Sequence, residues 1–215
     1  MLEKMGAFFD SRLEGYEAHM LANIQSAEEF YPFTAACLPS QPGACVLDLG
    51  CGTGLELDWY FKRNPMACVT GIDLAEGMLG FLRQKHGQKR LELICGSYFE
   101  IPFGTTRFDA AVSVESLHHF TAAEKLPLYT KLRKALKVGG YFILTDYFAL
   151  SEEEEQNCRA ELLRLKGEQG LPEDEFYHYD TPLTIQHECQ VLRGAGFSKV
   201  EILNAWGATG TIKAY

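Results

Sequence analysis

The sequence has no apolar run approaching the ~20 residues a membrane-spanning helix requires, and no internal repeat or low-complexity segment. Its seven cysteines, at positions 37, 45, 51, 68, 95, 158 and 189, form no CxxC pair. One would be left over in any full pairing, which disfavours a disulfide framework or a zinc site and favours reduced, buried thiols, as in a cytoplasmic protein. Positive charge is scarce too. Twenty Lys and Arg stand against 29 Asp and Glu, for a net charge of −9. That balance works against a nucleic-acid partner, whose binding rests on neutralising phosphates with cations. The basic residues that do cluster (Arg83, Lys85, Lys89 and Arg90; Lys131, Arg133, Lys134 and Lys137) have no aromatics between them and read as solvated helix faces. The amino-terminal stretch breaks its apolar residues with charge and offers no signal-peptide core.

What is present is a soluble globular mix, 47% hydrophobic and 23% charged, in a length that can bury one sizeable core. Short apolar runs alternate with amphipathic stretches. Residues 8–37 read as one or two helices. Strands are predicted at 45–49, 68–72, 91–95, 108–114 and 141–145, with helices at 55–62, 75–85 and 122–136 between them. This rhythm predicts a parallel sheet covered by helices on both faces. After residue 150 the pattern changes. Ser151 and the acids 152–155 mark the cap and first turn of a helix running to about 166. A loop carrying Phe176, Tyr177, His178 and Tyr179 follows, then a helix at 184–194 and strands at 198–203 and 210–215. The expected division is a single domain: cap helices over 1–40, a core over 44–150, an insertion over 151–182, and a final helix and strands over 183–215.

The strongest local signal is Val46-Leu47-Asp48-Leu49-Gly50-Cys51-Gly52-Thr53-Gly54 at the first strand-to-helix crossing. Glycines at alternate positions let a ligand lie against the main chain at a helix N-terminus. The spacing is GxGxG, whereas a dinucleotide fold asks for GxGxxG. An acid two residues before the first glycine would repel a pyrophosphate but suits a ligand with an amino group. Asp73, at the end of the second strand, is placed to take both hydroxyls of a ribose. Asp48 to Gly54, Asp73, Ser97, Glu115 to His119 and Asp146-Tyr147 all fall at carboxyl ends of predicted strands, the edge where open α/β sheets bind ligands.

With these residues in place, the sequence resembles a class I S-adenosylmethionine-dependent methyltransferase of the small-molecule type. The resemblance runs from about residue 44 to the end and rests on VLDLGCGTG (46–54), GIDLAEGML (71–79), FDAAVSVESLHHF (108–120), LRKALKVGGYFILTDY (132–147) and LRGAGFSKVEI (192–202). It implies a Rossmann-like doubly wound sheet of about seven strands, mostly parallel with the last antiparallel. It implies S-adenosyl-L-methionine as cofactor and S-adenosyl-L-homocysteine as product. Asp48 and the backbone around Gly50, Cys51, Gly52 and Gly54 would hold the aminocarboxypropyl end. Asp73 would take the ribose, Leu74 and Met78 would flank the adenine, and Val114 and Glu115 would line the pocket opposite the glycine loop. Where the family usually places an acid for the adenine amino group stands Ser97, so its hydroxyl or the Tyr98 amide would serve instead. The first helices and the 151–182 insertion are where the family builds its substrate lid.

Histidine exchanges a proton near neutral pH, which makes His118 and His119 the catalytic candidates, His119 ahead of His118. Tyr16, Tyr147, Tyr177, His178, Tyr179 and His187 are candidate walls for the acceptor. No metal site is expected, nor any membrane partner, and the chain is expected as a monomer or homodimer. The leading reading is methyl transfer to a small-molecule O, N, S or C nucleophile. Two others stay open: methylation of RNA or protein, and a cofactor-binding regulatory protein without turnover.

Overall fold

The computed structural model describes residues 1–172 and 175–215. Residues 173 and 174, within the expected lid insertion, lie outside the described residues.

Three short helices come first: α1 (Met5–Asp10), α2 (Tyr16–Asn23) and α3 (Ala27–Cys37). The breaks between them fall at Gly15 and Ser26, both in the left-handed region (φ 80° and 61°). Then strands and helices alternate: β1 (Cys45–Leu49), α4 (Leu55–Arg63), β2 (Cys68–Asp73), α5 (Glu76–His86), β3 (Arg90–Cys95), β4 (Phe108–Val114), α6 (Ala122–Ala135) and β5 (Leu136–Tyr147). A single 3-10 turn, Leu117–His119, sits between β4 and α6. The chain closes with α7 (Glu152–Gln169), α8 (Ile185–Gly194), β6 (Val200–Trp206) and β7 (Thr209–Ala214).

The seven strands form one sheet in the order β3-β2-β1-β4-β5-β7-β6. All pairings are parallel except those of β7, which runs antiparallel to β5 and β6. Strand order reverses between β1 and β4, so the carboxyl ends of those strands open a crevice for a ligand.

The period-two alternation of buried strands sorts the core into two layers. Val46, Val69, Ala110, Val112 and Ile143 pack with α3, α4 and α5 through Phe30, Leu57, Leu79 and Leu82. Leu47, Leu49, Ala111, Phe142 and Leu144 pack with α6 and α8 through Leu128, Leu132 and Leu192. Local chemistry fixes the helix ends. Thr121 and Glu124 form a reciprocal capping box at α6, and the Ser151 hydroxyl accepts from the Glu154 amide at α7 (3.1 Å); such caps are worth about 1 kcal/mol each. Inside the second layer, the ammonium of Lys125 donates to Glu188 at 2.5 Å and the Tyr129 hydroxyl donates to the same carboxylate, all three groups buried.

Candidate active site

The three glycines of the loop after β1 do different work. Gly50, Gly52 and Gly54 all have positive φ (72°, 48° and 75°). A Cβ on Gly50 would lie 2.1 Å from the Ser116 hydroxyl oxygen, and one on Gly54 would meet Leu82 Cδ1 at 2.5 Å. Those two glycines let the loop press against the segment after β4 and let α4 sit on α5. Nothing lies within 4 Å of a Cβ built on Gly52; it faces open space. Asp73 clamps this loop: Oδ2 accepts from the Gly52 amide at 2.8 Å, and Oδ1 accepts from the Ala75 amide at 2.9 Å. Burial raises the Asp73 carboxyl, against the pull of these two donors.

Beside the loop lies a narrow cleft of about 60 Å³, lined by Gly50, Gly52, Asp73, Leu74, Met78, Tyr98, Val114, Glu115 and Ser116 and roofed by Met5, Phe9 and Tyr16 from the amino-terminal segment. Asp48 lies beneath the loop, 1% exposed. Apart from each other, the Asp48 oxygens and Glu56 Oε1, from the first turn of α4, find no hydrogen-bond partner. Burial, and then the like charge of Glu56, lift Asp48 well above the usual carboxylate range, and burial lifts Glu56 to about 7. A cationic ligand in the cleft would give this buried acid pair its missing counter-charge.

Several expected cofactor residues do not touch the cleft. Gly54 packs on Leu82. Cys51 is buried with its sulfur against the Gly71 backbone. The Ser97 hydroxyl is turned back on its own loop, accepting from the Phe99 amide at 3.2 Å.

A second, larger cavity of about 900 Å³ adjoins the cleft, and Phe9, Tyr16, Glu115 and His119 line both. Among the expected acceptor residues, Tyr16, Tyr147 and His178 line it. Tyr177, Tyr179 and His187 do not. Tyr177 is buried and donates to the Glu175 carboxylate, the Tyr179 side chain lies outside both linings, and His187 pairs with Glu155 of α7. No sequence pattern marks Phe8, Arg12, Asp180 or Trp206, which the fold brings to this cavity from distant segments.

The floor of the cavity is the stretch 115–119 after β4. Glu115 holds a positive φ of 48°, unusual for a side-chain-bearing residue and of a kind that clusters at functional sites. Its Oε1 accepts from the Thr209 hydroxyl at 3.4 Å. Burial pushes this carboxyl up to about 7, against the attraction of the His118 charge. Asp146 orients His118: Oδ2 accepts from the Leu117 amide (2.9 Å), and Oδ1 accepts from His118 Nδ1 (2.5 Å) and from the Tyr147 amide (3.0 Å). Burial alone would lower His118, but Asp146 and Asp180 outweigh it and hold the imidazolium up to about 10. His119 is driven the other way, to about 4, by burial and by the charge on His118. Its Nδ1 lies 3.2 Å from the Tyr179 carbonyl oxygen and 3.1 Å from Asp180 Oδ1.

The crevice at the strand-order reversal, the open glycine loop and the acid clamp agree with what comparison with known proteins returns. Residues 46–140 match a family described as a methyltransferase domain. Over these residues the chain is similar to methyltransferase domains. A fatty-acid O-methyltransferase of Mycolicibacterium smegmatis is 33% identical over 118 residues, 55% of this chain and 42% of that protein. A phosphoethanolamine N-methyltransferase of Triticum aestivum is 30% identical over 189 residues, 82% of this chain and 32% of that protein. The chain therefore spans less than half the length of these curated relatives. In three dimensions it is similar to phosphoethanolamine N-methyltransferase 2 of Haemonchus contortus in complex with S-adenosyl-L-methionine (TM-score 0.67, 20% identity, 91% of this chain and 43% of that one), a likeness of fold. The cofactor of the methyltransferase family is S-adenosylmethionine, and the residues here fit it: a buried acid pair with no donor beyond itself for an ammonium, a bare Gly52 backbone, and a carboxylate at the end of β2.

Proposed function

We propose that the chain transfers a methyl group from S-adenosylmethionine to a small-molecule nucleophile held in the 900 Å³ cavity. The observation that carries this reading is the shared wall. Phe9, Tyr16, Glu115 and His119 border both the cleft beside the glycine loop and the larger cavity, so a group at that junction meets ligands from both sides. The cavity volume falls in the range of about 300–1,000 Å³ typical of small-molecule sites. The chain's net charge of −9 weighs against an RNA acceptor.

When bound, the cofactor supplies a methyl group already activated on a sulfonium. The protein's work is alignment and exclusion of water. Asp48 with Glu56 balances the amino group, Asp73 accepts from the ribose hydroxyls, and Leu74 and Met78 flank the base. Tyr16, Tyr147, His178 and Trp206 wall the acceptor. Glu115 is the group that receives a proton from it: it stands at the junction, and a carboxyl near neutrality is matched to that task. His118 is held as a cation by Asp146 and steadies negative charge beside it.

Calorimetry with S-adenosylmethionine and S-adenosylhomocysteine tests the cofactor half. Failure of both to bind at millimolar concentration refutes it. Incubation of the protein and labelled cofactor with small-molecule, RNA and protein fractions of a cell extract tests the acceptor half. Label in the small-molecule fraction is expected; label only in RNA or protein overturns this choice of acceptor.

A further inference from the structure

The mouth of the acceptor cavity holds three nitrogen and oxygen atoms that no step above uses as a set. His118 Nε2 is 3.5 Å from Asp180 Oδ1, and His119 Nδ1 is 3.1 Å from the same oxygen. All three atoms lie within 4.8 Å of one another. Ligands about 2.0–2.2 Å from a tetrahedral ion sit roughly 3.4 Å apart, so the cluster already has close to the spacing that a metal would impose.

The outer layer is in place as well. Metal-bound histidine usually donates its other ring N–H to a carboxylate, which fixes the tautomer and strengthens the donor. His118 does this, giving Nδ1–H to Asp146 at 2.5 Å and leaving Nε2 toward the cavity. Asp146 is itself held by the Leu117 and Tyr147 amides, and the Thr181 amide donates to the His118 carbonyl at 2.8 Å, tying the loop that carries Asp180 to the loop that carries the histidines. Both imidazoles are buried while Asp180 is half-exposed at the rim, which gives an entry path.

We propose that His118 Nε2, His119 Nδ1 and Asp180 Oδ1 form a binding site for a divalent transition-metal ion in the acceptor cavity. Two imidazoles and one carboxylate suit an ion of the zinc, iron or cobalt class better than magnesium or calcium, which prefer oxygen alone. Three protein ligands leave a coordination position open toward the cavity, where the acceptor's own heteroatom would sit. Loading releases one proton to solvent, from His118 Nε2, while the neutral His119 coordinates through Nδ1 with its proton on Nε2; the cationic His118 described above is the metal-free state. This role rests on the methyltransferase reading and narrows the acceptor to a molecule with a hydroxyl or similar donor. Bound to the ion, the acceptor O–H gives its proton to the Glu115 carboxylate, the oxygen forms the new bond to the methyl carbon, and the carbon–sulfur bond breaks with its electron pair remaining on sulfur.

The test is a titration of the chelator-treated chain with Co²⁺, followed by visible absorption. S-adenosylhomocysteine binding is measured by calorimetry on the same sample. One equivalent of cobalt is expected, with ligand-field bands of a nitrogen and oxygen site that Zn²⁺ abolishes by competition. Outer-shell partners alone are worth about 10–100-fold in metal affinity, so loss of a ligand in Asp180→Asn or His119→Gln should weaken binding at least tenfold. Asp180→Asn should keep the wild-type affinity for S-adenosylhomocysteine, because Asp180 does not line the cleft beside the glycine loop. No cobalt bands, equal affinity in wild type and both variants, or thiolate-to-cobalt charge transfer marking cysteine ligands would each overturn the site. Cobalt binding without S-adenosylhomocysteine binding would remove the methyltransferase reading and leave the metal site standing; the reverse result would do the opposite.

Discussion

The two buried carboxyls beneath the glycine loop make folding depend on pH in a direction opposite to that of most acids. Asp48 and Glu56 are 1% and 4% exposed, and burial raises both. A raised carboxyl keeps its proton in the folded chain after the unfolded chain has lost it. Stability from this source is therefore complete below about 4.5, falls as pH rises toward about 7, and is fully lost above that. At about 1.36 kcal/mol per unit, a rise from 4.5 to about 7 costs on the order of 3 kcal/mol of stability in the ligand-free protein at pH 8. Glu56→Gln removes the second charge and offers Asp48 an amide donor. It should recover up to about 3 kcal/mol at pH 8, roughly 6–12 °C in melting temperature for a chain of this size, with little gain at pH 5. Denaturation of wild type and variant across pH 5–8 measures this. Parallel pH profiles would refute the account, because the slope would then come from other groups. The same pair predicts that cofactor affinity rises from pH 6 to 8 in wild type, as the ammonium's partner ionises.

Asp73→Ala should weaken cofactor binding by about 10–100-fold, since charge-assisted bonds to a carboxylate are worth roughly 1.5–3 kcal/mol; unchanged affinity by calorimetry would remove Asp73 from the site. The Cβ of Gly52→Val meets no atom within 4 Å, but the residue must hold φ near 48°. It should cost about 1–3 kcal/mol of stability and abolish S-adenosylhomocysteine binding, and a folded variant that binds normally would show that the open space is not where the cofactor lies. Lys125→Met strands the buried Glu188 carboxylate and should destabilise the protein by about 3–5 kcal/mol, read by chemical denaturation; a loss below 1 kcal/mol would mean that Tyr129 alone satisfies the acid.

The sheet and the glycine loop were legible because they are written in short-range pattern: buried runs of five to seven residues, glycine at alternate positions, and an acid at a strand end. Two parts of the fold were less so. β5 begins at Leu136, five residues before its expected start, because Lys137-Val138-Gly139-Gly140 has turn chemistry although the chain stays in the sheet through an irregularity opposite Phe108 and Ala110. The amino-terminal stretch holds three helices where one or two were expected, since Ser26, unlike Gly15, carries no mark of a left-handed break. In the site, Asp180 was invisible because its meaning lies in contacts with residues about 60 positions earlier. Glu56 was hidden for another reason. An acid in a first helical turn reads as a partner of the helix dipole, and only the packing shows it buried against Asp48.

Phe9 and Tyr16 stand between the two cavities, and the helices that carry them are fastened on both sides. Toward the acceptor, the Met5 amide donates to the Phe176 carbonyl and the His178 amide to the Glu3 carbonyl. Toward the cofactor, the Gly77 amide donates to Asp10 at 2.9 Å and Lys85 pairs with Glu17 at 2.6 Å. The cleft of about 60 Å³ is smaller than a nucleoside, so on the proposed reading these fastenings yield when the cofactor enters. On the proposed reaction, each turnover undoes and remakes the same few bonds. On the same proposal, loosening the clasp quickens release and shortens the hold on substrate by the same stroke, so speed and retention are bound together in one short stretch of chain.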